Sequence, residues 1–434
     1  MKRSIFPLLL VWAALAVSLT SCVTDKCEQE FTFYSYEPVY MSMAELRQMV
    51  GSETPREIKS SGKIYVKDHY VFVAEPNQGI HVIDNLDPAN PQIISFINVP
   101  GIRDVAVKGP IMYVDSYLDL VAIDISNPLA VQEVNRDENV FPYGSWHNGL
   151  WADPNLGIAV DWIEEKITEV QDCSGGGGFN GRNVFLDFNA NVSALASNSE
   201  LATDPGLSGG EFNAGIGGSM ARFTLSGNYL YIVTDTDLLP YDVTFLDQPV
   251  ARQPVQIGWD IETIFPFKGD LLIGSRSGMF IYSLDDPAAP QQLASVSHMR
   301  SCDPVVAEGD YAYVTLRGGT PCGGFTNQLD VVNISSPRNA FVQRTFAMDG
   351  PYGLGIRNGT LFVCDGESGL KVYDATDPLD VGNNMIAHFK NINTYDVIPL
   401  HNVLLMIGSD GLYQYDYSDL SDIYQLSVIS FATE

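Results

Sequence analysis

A ten-residue phrase that returns along the chain constrains what it can fold into more than any other feature. Its fullest form is GLKVYDATDP, from Gly369 to Pro378. Alternating apolar residues run up to an aspartate, and a tight turn closes on a proline. The phrase returns as GIHVIDNLDP (Gly79 to Pro88), DLVAIDISNP (Asp119 to Pro128) and QLDVVNISSP (Gln328 to Pro337). Looser copies are GMFIYSLDDP (Gly278 to Pro287), LLPYDVTFLD (Leu238 to Asp247) and GLYQYDYSDL (Gly411 to Leu420). The last strand residues are then Asp84, Asp124, Asp242, Ser283, Asn333, Asp374 and Asp416. Most neighbours among these marks stand about forty residues apart, the period of a repeat array or of propeller blades.

The second copy shows what one unit contains. Arg103 to Val107, Ile111 to Asp115, Leu120 to Ile125 and Val131 to Val134 read as four short strands with turns between them. The first turn carries a glycine here, at Lys108-Gly109, and again at Ser226-Gly227, Lys268-Gly269, Glu308-Gly309 and Asn358-Gly359. Glycine admits the positive φ that two-residue hairpins need. One four-stranded sheet cannot cover both its faces, whereas seven arranged about an axis cover one another and leave only short edges. The expected fold is all-β: a β-propeller of seven four-stranded blades, with six or eight as the neighbouring counts. A linear β-solenoid is the competing arrangement, but its rungs are shorter than forty residues. The aspartates closing the third strands suit hydrogen bonding to the following turn better than metal ligation, because Ser283 and Asn333 replace them.

The chain opens with an address. Lys2 and Arg3 precede an apolar run from Ile5 to Val17, too short to span a bilayer. It ends in Leu19-Thr20-Ser21-Cys22, which resembles the lipobox of bacterial lipoproteins. The resemblance implies cleavage of residues 1–21 and lipidation of Cys22, hence attachment to a membrane. Residues 22–62 form a tether and an N-terminal arm. The acidic run Val23 to Glu30 is similar to segments that mark lipoproteins for the outer surface. Within the arm, Ser42-Met43-Ala44-Glu45 has capping-box spacing, so a short helix is expected with Met43, Leu46, Met49 and Val50 on one face and its end before Gly51. Phe31, Phe33, Tyr34, Tyr36 and Tyr40 are expected to dock the arm on the repeats.

From residue 63 to 434 the chain resembles the LVIVD-repeat family of bacterial surface proteins. GIHVID (Gly79 to Asp84), LVAID (Leu120 to Asp124), LDVVN (Leu329 to Asn333) and GLKVYD (Gly369 to Asp374) carry the likeness; Leu238 to Asp242 departs from it most. The resemblance implies a propeller in the cell envelope; with the lipobox and the acidic run, the expected location is the bacterial cell envelope, anchored by lipid, in the outer membrane and exposed at the surface. It supplies no reaction, cofactor or catalytic residue.

Two places break the period. Asp124 and Asp242 lie 118 residues apart, and the surplus falls in an insertion over 143–218. A strand pair is expected near Leu150 to Trp162, and the glycine-rich stretches Cys173 to Arg182 and Leu207 to Gly218 read as flexible linker. Arg317 to Asn327 lengthens the fifth copy. Connections between blades and connections from second to third strands emerge on the same side of a propeller, so both irregularities belong to one face. Function tends to sit on variable loops held by a rigid frame. Cys302 and Cys322 fall on that face of one blade, where a disulfide would pin the glycine-rich loop. The pairing of Cys27, Cys173 and Cys364 stays open, Cys364 reading as a buried strand thiol.

Residues just before the innermost strands are expected to ring the channel mouth: Arg103, Asp104, Arg222, Glu262, Arg300, Asp303, Tyr352, Tyr395 and Asp396. They suit a polar ligand such as a sugar or carboxylate, or else ion pairs within the frame. His147, between Trp146 and Trp151, is the most site-like histidine. No catalytic or metal-binding motif appears. A formal charge of −29 argues against nucleic acid as a partner. The expected function is a lipid-anchored, non-catalytic scaffold that binds a protein or glycan through the inserted face. The alternative is a propeller hydrolase or lyase using Glu262, Asp303 and Asp396.

Overall fold

Every repeat phrase ends the third strand of a four-stranded antiparallel sheet, and seven such sheets form a propeller ring. The computed structural model describes residues 28–60, 62–141, 152–153, 156–172, 214–297, 304–319 and 324–432. Cys22, Cys27, Cys173, Cys302, Cys322, His147, Arg300, Asp303 and the leader lie outside these residues, with both the lipidation and the disulfide expected of them.

Blade 1 consists of Ile64–Lys67, Tyr70–Glu75, Gly79–Asp84 and Gln92–Asn98. Blade 2 consists of Val105–Lys108, Ile111–Ser116, Asp119–Asp124 and Gln132–Asp137. The remaining five span 223–256, 261–297, 305–347, 354–389 and 394–430. The first strand of blade 2 starts two residues later than its apolar pattern suggests. Arg103 and Asp104 both donate their backbone N–H to Asp115 Oδ1 at 2.8 Å, so they are held by a side chain and not by the ladder. Blade 3 has its fourth strand in two pieces, Val250–Ala251 and Val255–Gln256, with Pro254 between them and Pro240 opposite; neither proline has an N–H to give.

The turn chemistry is as the repeat requires. At all seven third-strand ends the side chain accepts the backbone N–H two residues on: Asp84 from Leu86, Asp124 from Ser126, Asp242 from Thr244, Ser283 from Asp285, Asn333 from Ser335, Asp374 from Thr376 and Asp416 from Ser418. Thr244 and the Arg252 guanidinium hold Asp242 down at about 2. The hairpin glycines take positive φ, 82° at Gly269 and 73° at Gly359.

Strands one to three are buried along nearly their whole length because each sheet is covered on both faces by its neighbours. Burying one such Val or Ile is worth roughly 1.5–3 kcal/mol, so sheet-to-sheet packing supplies most of the stability. Polar contacts index adjacent blades: Tyr113 Oη donates to Leu246 O at 2.7 Å, and Tyr231 Oη to Pro287 O at 2.8 Å. Between blades 7 and 1 the ring closes without sharing a strand. Ile64, Val71 and Ile83 pack with Ile398, Leu405 and Leu412, and Asn85 and Gln414 exchange amide hydrogen bonds.

The arm departs from expectation in two ways. Its capping box forms, but the helix is a single turn, Met43–Leu46, and of the expected apolar face only Leu46 is buried. Gly51–Glu53, expected to terminate the helix, instead adds a strand to the outer edge of blade 1. Arg47 bonds Asp119 of blade 2 at 2.8 and 3.1 Å, and Ile58 accepts Ala432 N at 2.8 Å.

A second, smaller unit contains Glu28–Met41 and most of Gly157–Asp172, two paired strands. Thr32 meets Thr168 and Tyr36 Oη donates to Glu164, an antiparallel register. Of the arm's aromatics, Tyr36 bonds the insertion's strand, and Phe31, Tyr34 and Tyr36 remain exposed. The expected strand pair near Leu150 exists as Ala152–Asp153 against Gly157–Ile158.

Candidate functional site: the inserted face and the filled channel

The channel is occupied by the chain itself. Gly215 N donates to Val107 O of blade 2, and Ile216–Gly217 pair with Tyr65 and Val66 of blade 1. Gly218 N donates to Ile64 O, and Ser219 reaches blades 6 and 7. Ala221 O accepts Ile264 N of blade 4 at 2.7 Å, so five innermost strands are bonded to one segment, Ala214 to Ala221. A Cβ on Gly215 would stand 2.4 Å from Tyr65 Cε1 and 2.5 Å from Val66 O. Glycine here makes room between strands. The end of the stretch expected as flexible linker, 214–218, is instead a fixed plug.

The expected ring residues divide by what surrounds them. Lys63, directly before the first strand of blade 1, donates to Asp104 Oδ2 at 2.7 Å and to Met220 O at 3.2 Å; Lys63 and Asp104 are both buried. Burial pushes the Lys63 ammonium pKa down, and Asp104 holds it partly up. Asp104 Oδ2 also accepts the N–H of Arg222 at 2.5 Å and of Phe223 at 3.1 Å, tying blade 1 to blade 3 through blade 2. Arg222 pairs with Asp235 at 2.5 Å and donates to Ile261 O at 2.8 Å. Glu262 lies inside the first strand of blade 4, not before it, and pairs with Arg276 at 2.7 Å.

Asp396 lies inside the first strand of blade 7, fully buried under the plug. Its Oδ1 accepts Ser219 N and Oγ at 3.3 and 3.4 Å, while its Oδ2 has no partner among the described residues. Burial raises its pKa well above the carboxylate range, against the attraction of Lys63. Burial likewise lifts the thiol of Cys364, which lies within a strand. Arg103 is half-buried, and burial lowers its pKa.

Toward solvent the inserted face is different. Tyr352 and Tyr395 stand 5.3 Å apart between ring centres, and the Arg317 guanidinium lies 3.7 Å over the Tyr352 ring. Trp259, on the connection into blade 4, is 77 % exposed, and Phe325, on the long loop of blade 5, is 97 % exposed. The sequence reading missed Arg317 and Trp259. Arg317 was visible as the residue opening the irregular loop, but its stacking depends on a neighbouring blade. Among the described residues no group of three or more His, Cys, Asp and Glu side chains is placed to hold a metal ion.

A family profile described as LVIVD repeat matches residues 59–98, 102–136 and 217–243, blades 1 and 2 and part of blade 3. No curated protein matches the chain. Among solved structures it is similar to the computationally designed Ika8 protein, at 10 % identity over 88 % of this chain and 92 % of that one, TM-score 0.47. It is similar to BamB from Moraxella catarrhalis at 8 % identity, 89 % and 97 % coverage and TM-score 0.47. Hsv2 from Kluyveromyces lactis matches at 11 % identity, 85 % and 98 % coverage and TM-score 0.46.

Proposed function

We propose that this chain, which carries LVIVD repeats on a seven-bladed ring, is a non-catalytic binding scaffold that takes a protein or glycan on its inserted face. The observation that carries the reading is the plug. With 214–221 bonded to five innermost strands, Lys63, Asp104 and Asp396 serve the frame, and the groups offered to solvent lie above them. Trp259 and Phe325 are large, exposed and on the face where the long connections emerge. Aromatic anchors of this kind dominate binding energetics at interfaces. Glu262, one of the carboxylates an enzyme would need, is held by Arg276, and Asp396 is covered by Ser219.

The scaffold is held at the bacterial cell envelope, in the outer membrane, by lipid on Cys22. Mass spectrometry of membrane-fraction protein should show the acyl mass on an N-terminal Cys22, and Cys22→Ala should move the protein to the aqueous fraction. Binding is tested with an envelope extract and a glycan array. Trp259→Ala with Phe325→Ala should weaken capture at least tenfold. Leu86→Ser with Leu129→Ser, on turns of the opposite face, should leave it unchanged. The reverse pattern would move the site to that opposite face.

A further inference from the structure

Arg317 has an aromatic ring, not a carboxylate, against its guanidinium. The chain has 53 acidic residues against 24 basic ones, and cations on its described surface are commonly paired. Arg47, Arg56, Arg136, Arg222, Arg252 and Arg276 all contact carboxylates. Arg317, on the inserted face, contacts none among the described residues. Its guanidinium instead rests on the face of Tyr352. All guanidinium N–H bonds lie in the plane of the group, so stacking leaves them pointing outward.

Blades 5, 6 and 7 each contribute one member of this corner, and each is fixed. Arg317 follows the second strand of blade 5 directly. Tyr352 donates its N–H to Cys364 O at 2.7 Å and accepts Thr315 Oγ1 on its carbonyl at 2.6 Å. Tyr395 accepts Gly353 N on its carbonyl at 2.8 Å, and its hydroxyl accepts Asn393 Nδ2 at 3.2 Å. The two rings are inclined at 56°, which makes an apolar corner beside a fork of donors.

We infer that Arg317, Tyr352 and Tyr395 form a binding site for a sugar bearing a single carboxylate, such as a terminal hexuronic acid. This rests on the proposed use of the inserted face and gives that face a ligand class. The fork has only donors, so the ligand must bring acceptors, and a carboxylate matches it in two parallel hydrogen bonds. The ring faces suit the C–H face of a pyranose. An extended peptide is less suited, because the backbone groups of the corner are already bonded within the frame. A long polyanion is opposed by the charge of the whole chain, which the single acid at the end of a glycan largely escapes.

The whole chain is titrated with glucuronate, glucose, acetate and a short acidic peptide, followed by calorimetry or ligand-observed NMR. Glucuronate should bind in the millimolar range, with glucose and acetate each at least tenfold weaker. Arg317→Lys should lose most of the glucuronate affinity, since one ammonium cannot replace the fork. Tyr352→Ala should also lose it, with an unchanged unfolding midpoint as the folding control. Acetate equal to glucuronate would reduce the site to a bare carboxylate pocket, and glucose equal to it would remove the role of the acid. Peptide binding without glucuronate binding, or no binding at all, would overturn the inference. The Trp259 and Phe325 variants report on the face as a whole, so failure of the ligand class and failure of the face are told apart.

Discussion

At the scale of single residues, one carboxylate serves two backbone groups and makes stability depend on pH. Asp115 receives the N–H of both Arg103 and Asp104, and burial raises it to about 6 against those two bonds. An unfolded aspartate titrates near 3.9, so the folded state binds the proton more tightly. The contribution is complete below about pH 4 and is lost as the pH rises through 6. Asp115→Asn keeps the Oδ1 acceptor and removes the charge. Urea unfolding should find variant and parent equal near pH 4, with the variant ahead by up to about 2–3 kcal/mol at pH 7. A difference that does not change with pH would mean that Asp115 is not the group responsible. The third-strand aspartates are the opposite case, legible directly from sequence. Their acceptors act on N–H groups two residues away, so nothing beyond the local turn is needed to predict them.

Among the elements, the plug was the one that the sequence hid. Its part within the expected linker, Ala214 to Gly218, reads as linker because glycine is the common residue of both flexible chain and tight spaces. The difference lies in the neighbours: Tyr65 and Val66 leave no volume for a side chain at 215. Gly215→Val should therefore cost about 3 kcal/mol through overpacking. It should also expose 214–221 to limited proteolysis; a variant with parental stability and protection would place this segment outside the channel. The arm shows the same limit. Its capping box was readable, but Gly51–Glu53 is a strand because the edge of blade 1 offers unpaired backbone groups, which no local pattern announces.

For the whole molecule, blades 1, 2 and 3 are joined by charges buried near the axis. Lys63 and Asp104 join three blades and pair directly at 2.7 Å, while Asp115 and Asp396 attract Lys63 from further off. Lys63→Met should cost about 3–5 kcal/mol by leaving Asp104 buried without compensation, while Lys63→Met with Asp104→Asn should recover most of the loss. Denaturant midpoints of the two single variants and the double variant measure the coupling. Simple additivity would mean that the pair does not act as a unit.

The repeat, the four-strand unit, the seven marks and their turn chemistry follow from the sequence alone. Each rests on interactions within forty consecutive residues, where spacing and side-chain type dictate the outcome. Which ring residues are buried in the frame, that the channel is filled, and that Arg317 meets Tyr352 were decided only by the tertiary structure. Those facts depend on distances between blades, and a repeat pattern determines the shape of each blade without saying which side chains its neighbours will bring against it.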